Sequence, residues 1–436
     1  MSSLDPTEIF STILDLRQAR GVAASAFALA AACSVAHADG ANPGLRFEPH
    51  SNTAQTSEGD IATHTFLKIT KPLVLGGRNF ENHLTAGLPP YSGYPIESPA
   101  SLQCVYGFTT TNAPACNPNQ VTAVGAAGSG TIAIVDAYDY PAAQSDLTTF
   151  SAQFGLPAPT SANFQVVYAN GGRPANGAGS GWDLEAALDI EYAHAMAPMA
   201  KIILVEARSS NLSDMLYAVQ VAAHLVAQAG GGQVSMSWGG SEFASEAAYD
   251  STFSGRNVVF YAAAGDGPGT IYPCVASSVV CVGGTSNMRD AQTFAFKGQL
   301  SWSSTGGGPS LYEPAPVFQR GSSLATRGAP DVAALADPNN GLWVYNTTYE
   351  RGAYWWQVGG TSAATPITAG LDNAAGNFAA SSAAYLQVLY SNIGAERTDV
   401  TSGVCGKANS FTAAQGWDFC TGFGVPRPIV AGLAKL

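Results

Sequence analysis

Residues 359–366 read Gly-Gly-Thr-Ser-Ala-Ala-Thr-Pro. The two glycines let the backbone turn freely and pass close to a neighbour, and the small residues after them could begin a buried helix. Pro366 agrees with a helix start, because the missing N–H of proline is not needed in the first turn. Ser362 is therefore predicted at or just before the helix N-terminus. There it could be a nucleophile with backbone donors for an oxyanion, or simply a helix cap.

A mostly parallel α/β sheet is predicted from residue 131 onward. Residues 131–135 form a continuous apolar run, as expected of a strand that is buried on both faces. Similar strands are predicted at 202–205, 234–238, 258–262 and 279–282, and helices at 142–154, 182–197, 212–229 and 242–253. This alternation predicts helices on both faces of one sheet, with the active site at the carboxyl ends of its strands.

The composition narrows the classes of partner. Of the 436 residues, 46% are hydrophobic and 11% are charged, and the formal net charge is -12. The excess of acids argues against nucleic acid and against an anionic membrane surface as partners. A chain with few charges also suits low pH, because protonation of its carboxylates removes few ion pairs.

Seven cysteines are present, and Cys33 lies in an N-terminal apolar stretch. The other six fall in three local pairs: Cys104 with Cys116, Cys274 with Cys281, and Cys405 with Cys420. None has the spacing of a zinc site, and an even number in an exported chain predicts disulfides. We expect the three local pairings, although the sequence leaves other connectivities open.

The N-terminal region is predicted to be removed in stages. Residues 21–38 carry no Lys, Arg, Asp or Glu, Arg17 and Arg20 precede them, and small residues stand at both ends of the Ala-His-Ala that closes the run. This pattern predicts a signal peptide at 1–38 rather than a membrane anchor, because the run is short and rich in alanine. The polar residues 39–96 are interpreted as a short prosegment, and 97–436 as a single catalytic domain.

Two carboxylates share one face of a predicted helix. Glu185 and Asp189 are four residues apart on the helix that begins near residue 182, and like charges at that spacing disfavour a helix. Asp183 and Glu191 lie nearby, so the face could be solvated. The alternative is a coupled pair that shares one proton, with the two pKa values pushed apart.

The position of Asp266 and the positions of the histidines indicate which class of hydrolase the chain resembles. Asp266 follows the strand at 258–262 in a glycine-rich loop, which suits either chemistry or a turn. After residue 96 the histidines are His194 and His224, both in the middle of predicted helices and away from glycine-rich turns. A Ser-His-Asp peptidase needs an imidazole base. If Ser362 is a nucleophile, its base is therefore expected to be a carboxylate.

This combination of motifs closely resembles the sedolisins, the serine-carboxyl peptidases, which have a subtilisin-like α/β fold. The resemblance covers about residues 100–436. It is carried by the motifs at 360–366, 185–189, 237–239 and 264–266, and the stretches at 282–285 and 327–333 also agree.

The resemblance assigns a role to each candidate residue. It implies that Ser362 is the nucleophile and Glu185 its general base, while Asp189 orients Glu185 and holds the shared proton. Asp266 would line the oxyanion hole as a neutral acid that donates a hydrogen bond. Because a carboxylate is a weak base and Asp266 donates only when protonated, such an enzyme should work in acid and fail near neutrality.

The resemblance also implies one calcium site near the C-terminus. Its ligands would be the side chains of Asp399 and Asp418 and the carbonyl oxygens of Val400, Ala414 and Gly416. Carboxylate and carbonyl oxygens are the hard ligands that calcium prefers.

The sequence thus predicts a secreted acid endopeptidase that is made as a zymogen and acts as a monomer on proteins or peptides. Trp238 and Asp136 are implied as outer members of the catalytic network. One alternative is a subtilisin-type serine peptidase, against which the lack of a His-Gly-Thr motif argues. The other is a secreted binding protein on an inactive peptidase scaffold.

Overall fold

The computed structural model describes residues 46–47, 49–52, 61–63, 66–68, 86–109, 114–320, 323–349, 354–392 and 397–428. All of them belong to one compact unit that spans 44–436. The predicted signal peptide at 1–38 lies outside the described residues. None of the helices in the described ranges is long and apolar enough to span a bilayer.

Helices and strands alternate through most of the described chain. The α-helices are α1 Pro99–Val105, α2 Ala143–Phe154, α3 Trp182–Met196, α4 Leu212–Gln228, α5 Thr361–Ala374 and α6 Ser382–Ser391. The 3₁₀ helices are His50–Asn52, Pro114–Cys116, Glu246–Thr252, Val317–Gln319, Pro338–Asn340 and Lys407–Asn409. The strands are β1 Arg46–Phe47, β2 Ala62–Thr63, β3 Phe66–Lys68, β4 Thr131–Ala137, β5 Phe164–Tyr168, β6 Lys201–Ala207, β7 Gly232–Met236, β8 Trp238–Ser241, β9 Val258–Ala263, β10 Ile271–Tyr272, β11 Val280–Arg289, β12 Phe296–Ser301, β13 Gly308–Pro314, β14 Thr326–Ala329, β15 Val332–Leu335, β16 Leu342–Asn346, β17 Tyr354–Gly359, β18 Arg397–Thr398, β19 Val404–Cys405, β20 Phe411–Thr412 and β21 Val425–Pro426.

The central sheet has eight strands in the order β12-β11-β9-β7-β4-β6-β5, with β15 also paired to β11. Its pairs are parallel except for β11 with β12. Alternate residues of β4 enter opposite cores: Ile132 and Ile134 pack on the side of α2, α3 and α5, whereas Ala133 and Val135 pack on the side of α4. The predicted α/β sheet with helices on both faces is confirmed.

Most predicted elements are present, and one helix prediction is wrong. Residues 242–253 form only the short 3₁₀ helix Glu246–Thr252. The Glu246 carboxylate accepts the Phe243 N–H at 2.7 Å, and the Glu242 carboxylate accepts the Leu311 N–H at 2.9 Å. These bonds hold the start of the segment in a non-helical turn. In addition, the strand predicted at 234–238 is divided at Ser237 between β7 and β8.

Parts of the predicted prosegment pair with strands of the predicted catalytic domain. β2 lies antiparallel to β8, with Thr63 opposite Trp238, and β3 lies antiparallel to β17, with Phe66 opposite Gly359. The N-terminal segment therefore contacts the strand that follows Ser237 and the strand that leads into α5.

The three predicted disulfides are confirmed. Cys104 in α1 is bonded to Cys116, Cys274 to Cys281 at the start of β11, and Cys405 to Cys420 in the C-terminal loop. Each of them closes a short loop of the described chain.

Candidate active site

Ser362 is the second residue of α5 and is fully buried. The turn into the helix requires both glycines. Gly360 has φ 104°, a conformation that side chains rarely adopt, and a Cβ at Gly359 would lie 2.5 Å from the carbonyl oxygen of Ala336. The local sequence therefore forces a tight entry that places Ser362 at the helix N-terminus.

Ser237 is bonded to the first turn of α5. Pro366 has no N–H, so the carbonyl oxygen of Ser362 lacks the donor that a helix normally supplies four residues later. Ser237 Oγ lies 3.1 Å from that oxygen and 2.8 Å from Asp189 Oδ1, and Ser362 Oγ donates to the Ser237 carbonyl oxygen at 3.0 Å. One serine thus links the helix that carries the candidate nucleophile to the helix that carries the candidate acids.

Helix α3 brings Glu185 and Asp189 to Ser362. A Cβ at Gly370 of α5 would lie 2.6 Å from Met196 Cβ, so glycine allows α3 and α5 to pack closely. Both carboxyl side chains are fully buried. The solvated-face interpretation of the acids is therefore wrong.

The two acids form an electrostatic pair. Burial raises the pKa of Glu185 well above its ordinary value, the charges of Asp189 and Asp136 raise it further, and a hydrogen bond from the Ser362 hydroxyl lowers it. Burial and the charge of Asp136 raise the pKa of Asp189, and the Ser237 hydroxyl lowers it. Because like charges this close disfavour double ionisation, the pair retains a proton to higher pH than isolated carboxyls do.

The Ser362 hydroxyl is within reach of Glu185 but is better aligned with Ser237. The Ser362 hydroxyl is close enough to Glu185 to lower its pKa, whereas its aligned hydrogen bond goes to the Ser237 carbonyl oxygen. Catalytic hydrogen bonds are often loose without substrate. A rotation of the Ser362 hydroxyl would direct its proton at Glu185.

Asp136 and Trp238, the predicted outer members of the network, lie on β4 and β8. Asp136 is the last residue but one of β4 and is buried; this burial and then the charge of Glu206 raise its pKa. The Trp238 indole N–H donates to the carbonyl oxygen of Val135 at 2.8 Å, and this bond joins β8 to β4. Asp136 thus lies close enough to both acids for its charge to raise their pKa, and Trp238 is bonded to the residue that precedes Asp136.

Asp266 is bound to the N-terminus of α5. Its Oδ1 accepts the backbone N–H of Thr361 at 2.7 Å and the Thr361 hydroxyl at 2.8 Å. Thr361 Oγ1 in turn accepts the N–H of Gly265 at 3.1 Å. The loop after β9 is therefore fixed against the residue that precedes Ser362.

The two histidines of the domain do not join this group. His194 lies in the last turn of α3. One of its ring nitrogens is 2.8 Å from the carbonyl oxygen of Pro157, and burial lowers the pKa of the imidazole. It stands nine residues after Glu185, about 14 Å along α3. His224 lies on α4, across the sheet. The arrangement therefore offers Ser362 a carboxylate rather than an imidazole as base.

The sequence did not predict the structural roles of the Ser237 and Thr361 hydroxyl groups. Both stand inside motifs that were recognised, but their hydroxyls act through contacts between distant segments. The position of Ser237 at the carboxyl end of a strand was the signal available for it, and Thr361 had only its place next to Ser362.

The predicted calcium ligands lie together in the C-terminal loop. Asp399 Oδ2 accepts the N–H of Gly416 at 2.8 Å, and Asp418 Oδ2 accepts the N–H of Ala414 at 3.0 Å. Asp418 Oδ1 also accepts the N–H of Cys420 at 2.7 Å. Two carboxylates are thus held against the loop whose carbonyl oxygens complete the predicted set.

This donor set fits calcium in its chemistry, because every ligand is a hard oxygen. The described residues include no cluster of three or more His, Cys, Asp or Glu side chains that could hold a metal. A calcium ion here would therefore depend on the carbonyl oxygens of Val400, Ala414 and Gly416 as well as on the two aspartates.

The chain is similar in sequence to known peptidases. The sequence model of the subtilase family matches residues 175–375. Kumamolisin from Bacillus sp. (strain MN-32) is 31% identical over 322 residues, which cover 65% of this chain and 56% of kumamolisin. Xanthomonalisin from Xanthomonas sp. (strain T-22) is 34% identical over 177 residues, which cover 35% of this chain and 20% of xanthomonalisin. The chain thus spans about half the length of kumamolisin and less of xanthomonalisin.

A solved structure supports the fold. Pseudomonas sedolisin, described as a serine-carboxyl proteinase complexed with two molecules of pseudo-iodotyrostatin, matches with a TM-score of 0.60 and 22% sequence identity. The match covers 77% of this chain and 96% of that chain, and it confirms the subtilisin-like architecture. Together with the sequence relatives, this match shows that the chain has a subtilisin-like fold and is similar to the sedolisins.

Proposed function

We propose that the protein is a serine peptidase that hydrolyses peptide bonds through an acyl-enzyme on Ser362. The observation that carries this proposal is the buried Ser362 hydroxyl at the N-terminus of α5, beside Glu185 on α3 and with no histidine of the domain at hand. A serine at a helix N-terminus has backbone N–H groups and the helix dipole to stabilise negative charge.

The reaction has two halves. Ser362 Oγ attacks the carbonyl carbon as its proton passes to Glu185, and the carbonyl oxygen becomes an oxyanion. The C–N bond then breaks, the departing amine takes the proton from Glu185, and the acyl group stays on Ser362. Water adds to the ester in the same way, gives its proton to Glu185, and releases the acid as Ser362 regains its hydrogen.

The remaining acids adapt this chemistry to low pH. Asp189 orients Glu185 and shares its proton, with the Ser237 hydroxyl fixing the other side of Asp189. Asp266, held by Thr361, would donate to the oxyanion from its neutral form. Ionisation of Asp266 would place a negative charge beside the oxyanion, so activity is expected in acid and not near neutrality.

We further propose that the enzyme is secreted and made as a zymogen, with residues 39–96 as a prosegment. The three disulfides fit an oxidising compartment, and β2 and β3 cover strands next to Ser237 and Gly360. Calcium, when bound by Asp399, Asp418 and the loop carbonyls, would stabilise the C-terminal loop that the Cys405–Cys420 disulfide closes.

The test is digestion of a denatured protein by the purified, acid-activated enzyme from about pH 2.5 to about pH 8. Ser362→Ala is the inactive variant. Ser235→Ala is the matched control, because Ser235 is equally buried on β7 and its hydroxyl has no partner among the described residues. Activity confined to acid, kept by the control and lost in Ser362→Ala is expected. Activity that survives in Ser362→Ala would contradict the proposal, and no activity at any pH in a correctly processed wild type would favour a binding scaffold.

A further inference from the structure

The loop that carries Asp266 is rich in glycine. Residues 264–270 read Ala-Gly-Asp-Gly-Pro-Gly-Thr, and Gly265 and Gly269 have φ 93° and 108°. Because glycine has no side chain to restrict its backbone, a loop of this composition needs bonds from outside to hold one conformation. The position of the Asp266 carboxyl group therefore depends on what the rest of the protein bonds to this loop.

The Asp266 carboxyl group itself is bonded through one of its two oxygens. Oδ1 accepts both the N–H and the hydroxyl of Thr361. With two donors already on Oδ1, the proton of a neutral Asp266 belongs on Oδ2. The direction in which Oδ2 points then depends on the path of the loop on either side of Asp266.

The end of the loop is held by the side chain of Glu242, the residue that directly follows β8. The Thr270 hydroxyl donates to Glu242 Oε1. Glu242 Oε2 accepts the Ser310 hydroxyl at 2.5 Å and the N–H of Leu311 at 2.9 Å. One carboxyl group thus joins three segments: the end of β8, the end of the Asp266 loop, and β13.

β8 connects this carboxyl group to the candidate nucleophile. The strand begins at Trp238, next to Ser237, whose carbonyl oxygen accepts the Ser362 hydroxyl. β8 pairs antiparallel with β10, which begins directly after Thr270. Glu242 and Thr270 therefore stand opposite each other and continue this pairing beyond the ends of both strands. The same strand pair thus bears on Ser362 at one end and on the Asp266 loop at the other.

Two further carboxyl groups lie near Glu242 and are buried. Burial and then the charge of Glu242 raise the pKa of Glu246 to about 8, and burial with neighbouring charges raises the pKa of Glu313 to about 7. In acid both are neutral, so Glu242 bonds to Thr270 and β13 without repulsion from a second carboxylate. The other ionisable groups that act on these acids are Asp250, Tyr272 and Arg327.

We propose that Glu242 is a positioning residue for the reaction: through the hydroxyl of Thr270 it fixes the loop after Asp266, so that Asp266 Oδ2 donates to the oxyanion. This inference rests on the proposed peptidase function. The oxyanion forms only as the reaction proceeds, so loss of this bond should lower kcat and leave KM nearly unchanged.

The first experiment measures kcat and KM at the acid optimum with an internally quenched peptide that spans a bond cleaved by the processed enzyme in a denatured protein. Thr270→Val removes the hydroxyl at nearly constant volume and should lower kcat about tenfold, with KM within about twofold of wild type. Thr270→Ser keeps a hydroxyl and should restore most of the rate. Thr293→Val is the matched control, because the Thr293 hydroxyl also bonds to a carboxylate, Asp290 Oδ1 at 2.9 Å, but in the hairpin between β11 and β12.

The outcomes separate this inference from the peptidase function. A wild-type kcat in Thr270→Val would overturn the positioning role alone, whereas a wild type without activity would count against the peptidase function. Glu242→Ala should lower kcat at least as much as Thr270→Val, and Glu242→Gln should restore most of it, because its amide can still bond the Thr270 hydroxyl. An equal kcat in Glu242→Ala and wild type would also overturn the inference.

The second experiment tests whether Thr270 acts through Asp266. Thr270→Val is combined with Asp266→Ala, in which no carboxyl group remains to be positioned. The tenfold loss of kcat should shrink to less than about twofold in this background, because the two residues act as a unit. Melting temperatures of the four chains at the same pH establish that all are folded. An equal loss of kcat in both backgrounds would show that Thr270 supports the fold rather than Asp266, and would contradict the proposal.

Discussion

Ser237 and Ser362 are bonded to each other twice. Ser362 Oγ donates to the carbonyl oxygen of Ser237 at 3.0 Å, and Ser237 Oγ lies 3.1 Å from the carbonyl oxygen of Ser362. Because Ser237 Oγ also lies 2.8 Å from Asp189 Oδ1, this reciprocal pair links the proposed nucleophile to the acid that is proposed to orient its base. The link depends on Pro366, which leaves the Ser362 carbonyl oxygen open to a side-chain donor.

We predict that Ser237→Ala lowers kcat more than it raises KM. The change removes the donor to Asp189 and to the Ser362 carbonyl oxygen, a loss of about 1–2 kcal/mol or roughly tenfold in kcat. Steady-state kinetics at the acid optimum check this. Ser235→Ala, two residues earlier on β7, should have wild-type kinetics. Equal kcat in Ser237→Ala and wild type would show that the reciprocal pair does not support catalysis.

We predict that folding stability is greatest in acid. Burial, with smaller contributions from neighbouring groups, raises the pKa of Glu206 from its ordinary 4.5 to about 7. Burial and then the charge of Glu242 raise the pKa of Glu246 to about 8. The folded chain then binds more protons than the unfolded chain, so stability is full below pH 4.5 and is lost as pH rises through 7 to 8.

The measurement is the melting temperature from pH 4 to pH 8 in wild type and Glu246→Gln. The variant should lose less stability over this range, by about 2–4 °C at pH 8. Asp290→Asn is the control: backbone and side-chain hydrogen bonds from Thr293 lower the Asp290 pKa to about 2, so its contribution is constant above pH 5 and the slope should not change. A melting temperature that rises towards pH 8 would contradict the prediction.

The features that the sequence could predict depend on local interactions, whereas those that it could not predict depend on contacts between distant segments. The helix start at Ser362 and the three disulfides were predictable, because glycine, proline and closely spaced cysteines act within a few residues. The helix predicted at 242–253 failed because the carboxylate of Glu242 is bound by Leu311, far along the chain. Helical periodicity does not contain such a contact.

Long-range contacts also explain the site residues that were missed. Ser237 meets Asp189 across 48 positions, and Thr361 meets Asp266 across 95. No sequence pattern around either residue predicts which side chain its hydroxyl contacts. The pairing of β2 with β8 was equally hidden, because two or three residues are too few to show the alternation of a strand.

We predict that calcium stabilises the fold through Asp399 and Asp418. Addition of calcium to chelator-treated protein should raise the melting temperature, because an ion that binds only the folded chain adds about 2.7 kcal/mol at a hundred times its Kd. Magnesium should do less, since it demands a tighter octahedral geometry. In Asp399→Asn the calcium response should largely disappear, while Asp290→Asn should retain it. An equal response in Asp399→Asn and wild type would exclude this site.

The central claim is that Glu185, rather than a histidine, takes the proton of Ser362. The most direct measurement is kcat/KM from about pH 2.5 to about pH 8 for wild type, Glu185→Gln and Glu191→Gln. Glu191 is a matched control, because it is buried on the same helix and burial also raises its pKa. The account predicts an acid optimum for wild type and the control, and a loss of about 10²–10⁴-fold in kcat/KM for Glu185→Gln. A Glu185→Gln enzyme that keeps the wild-type rate and pH profile would contradict it.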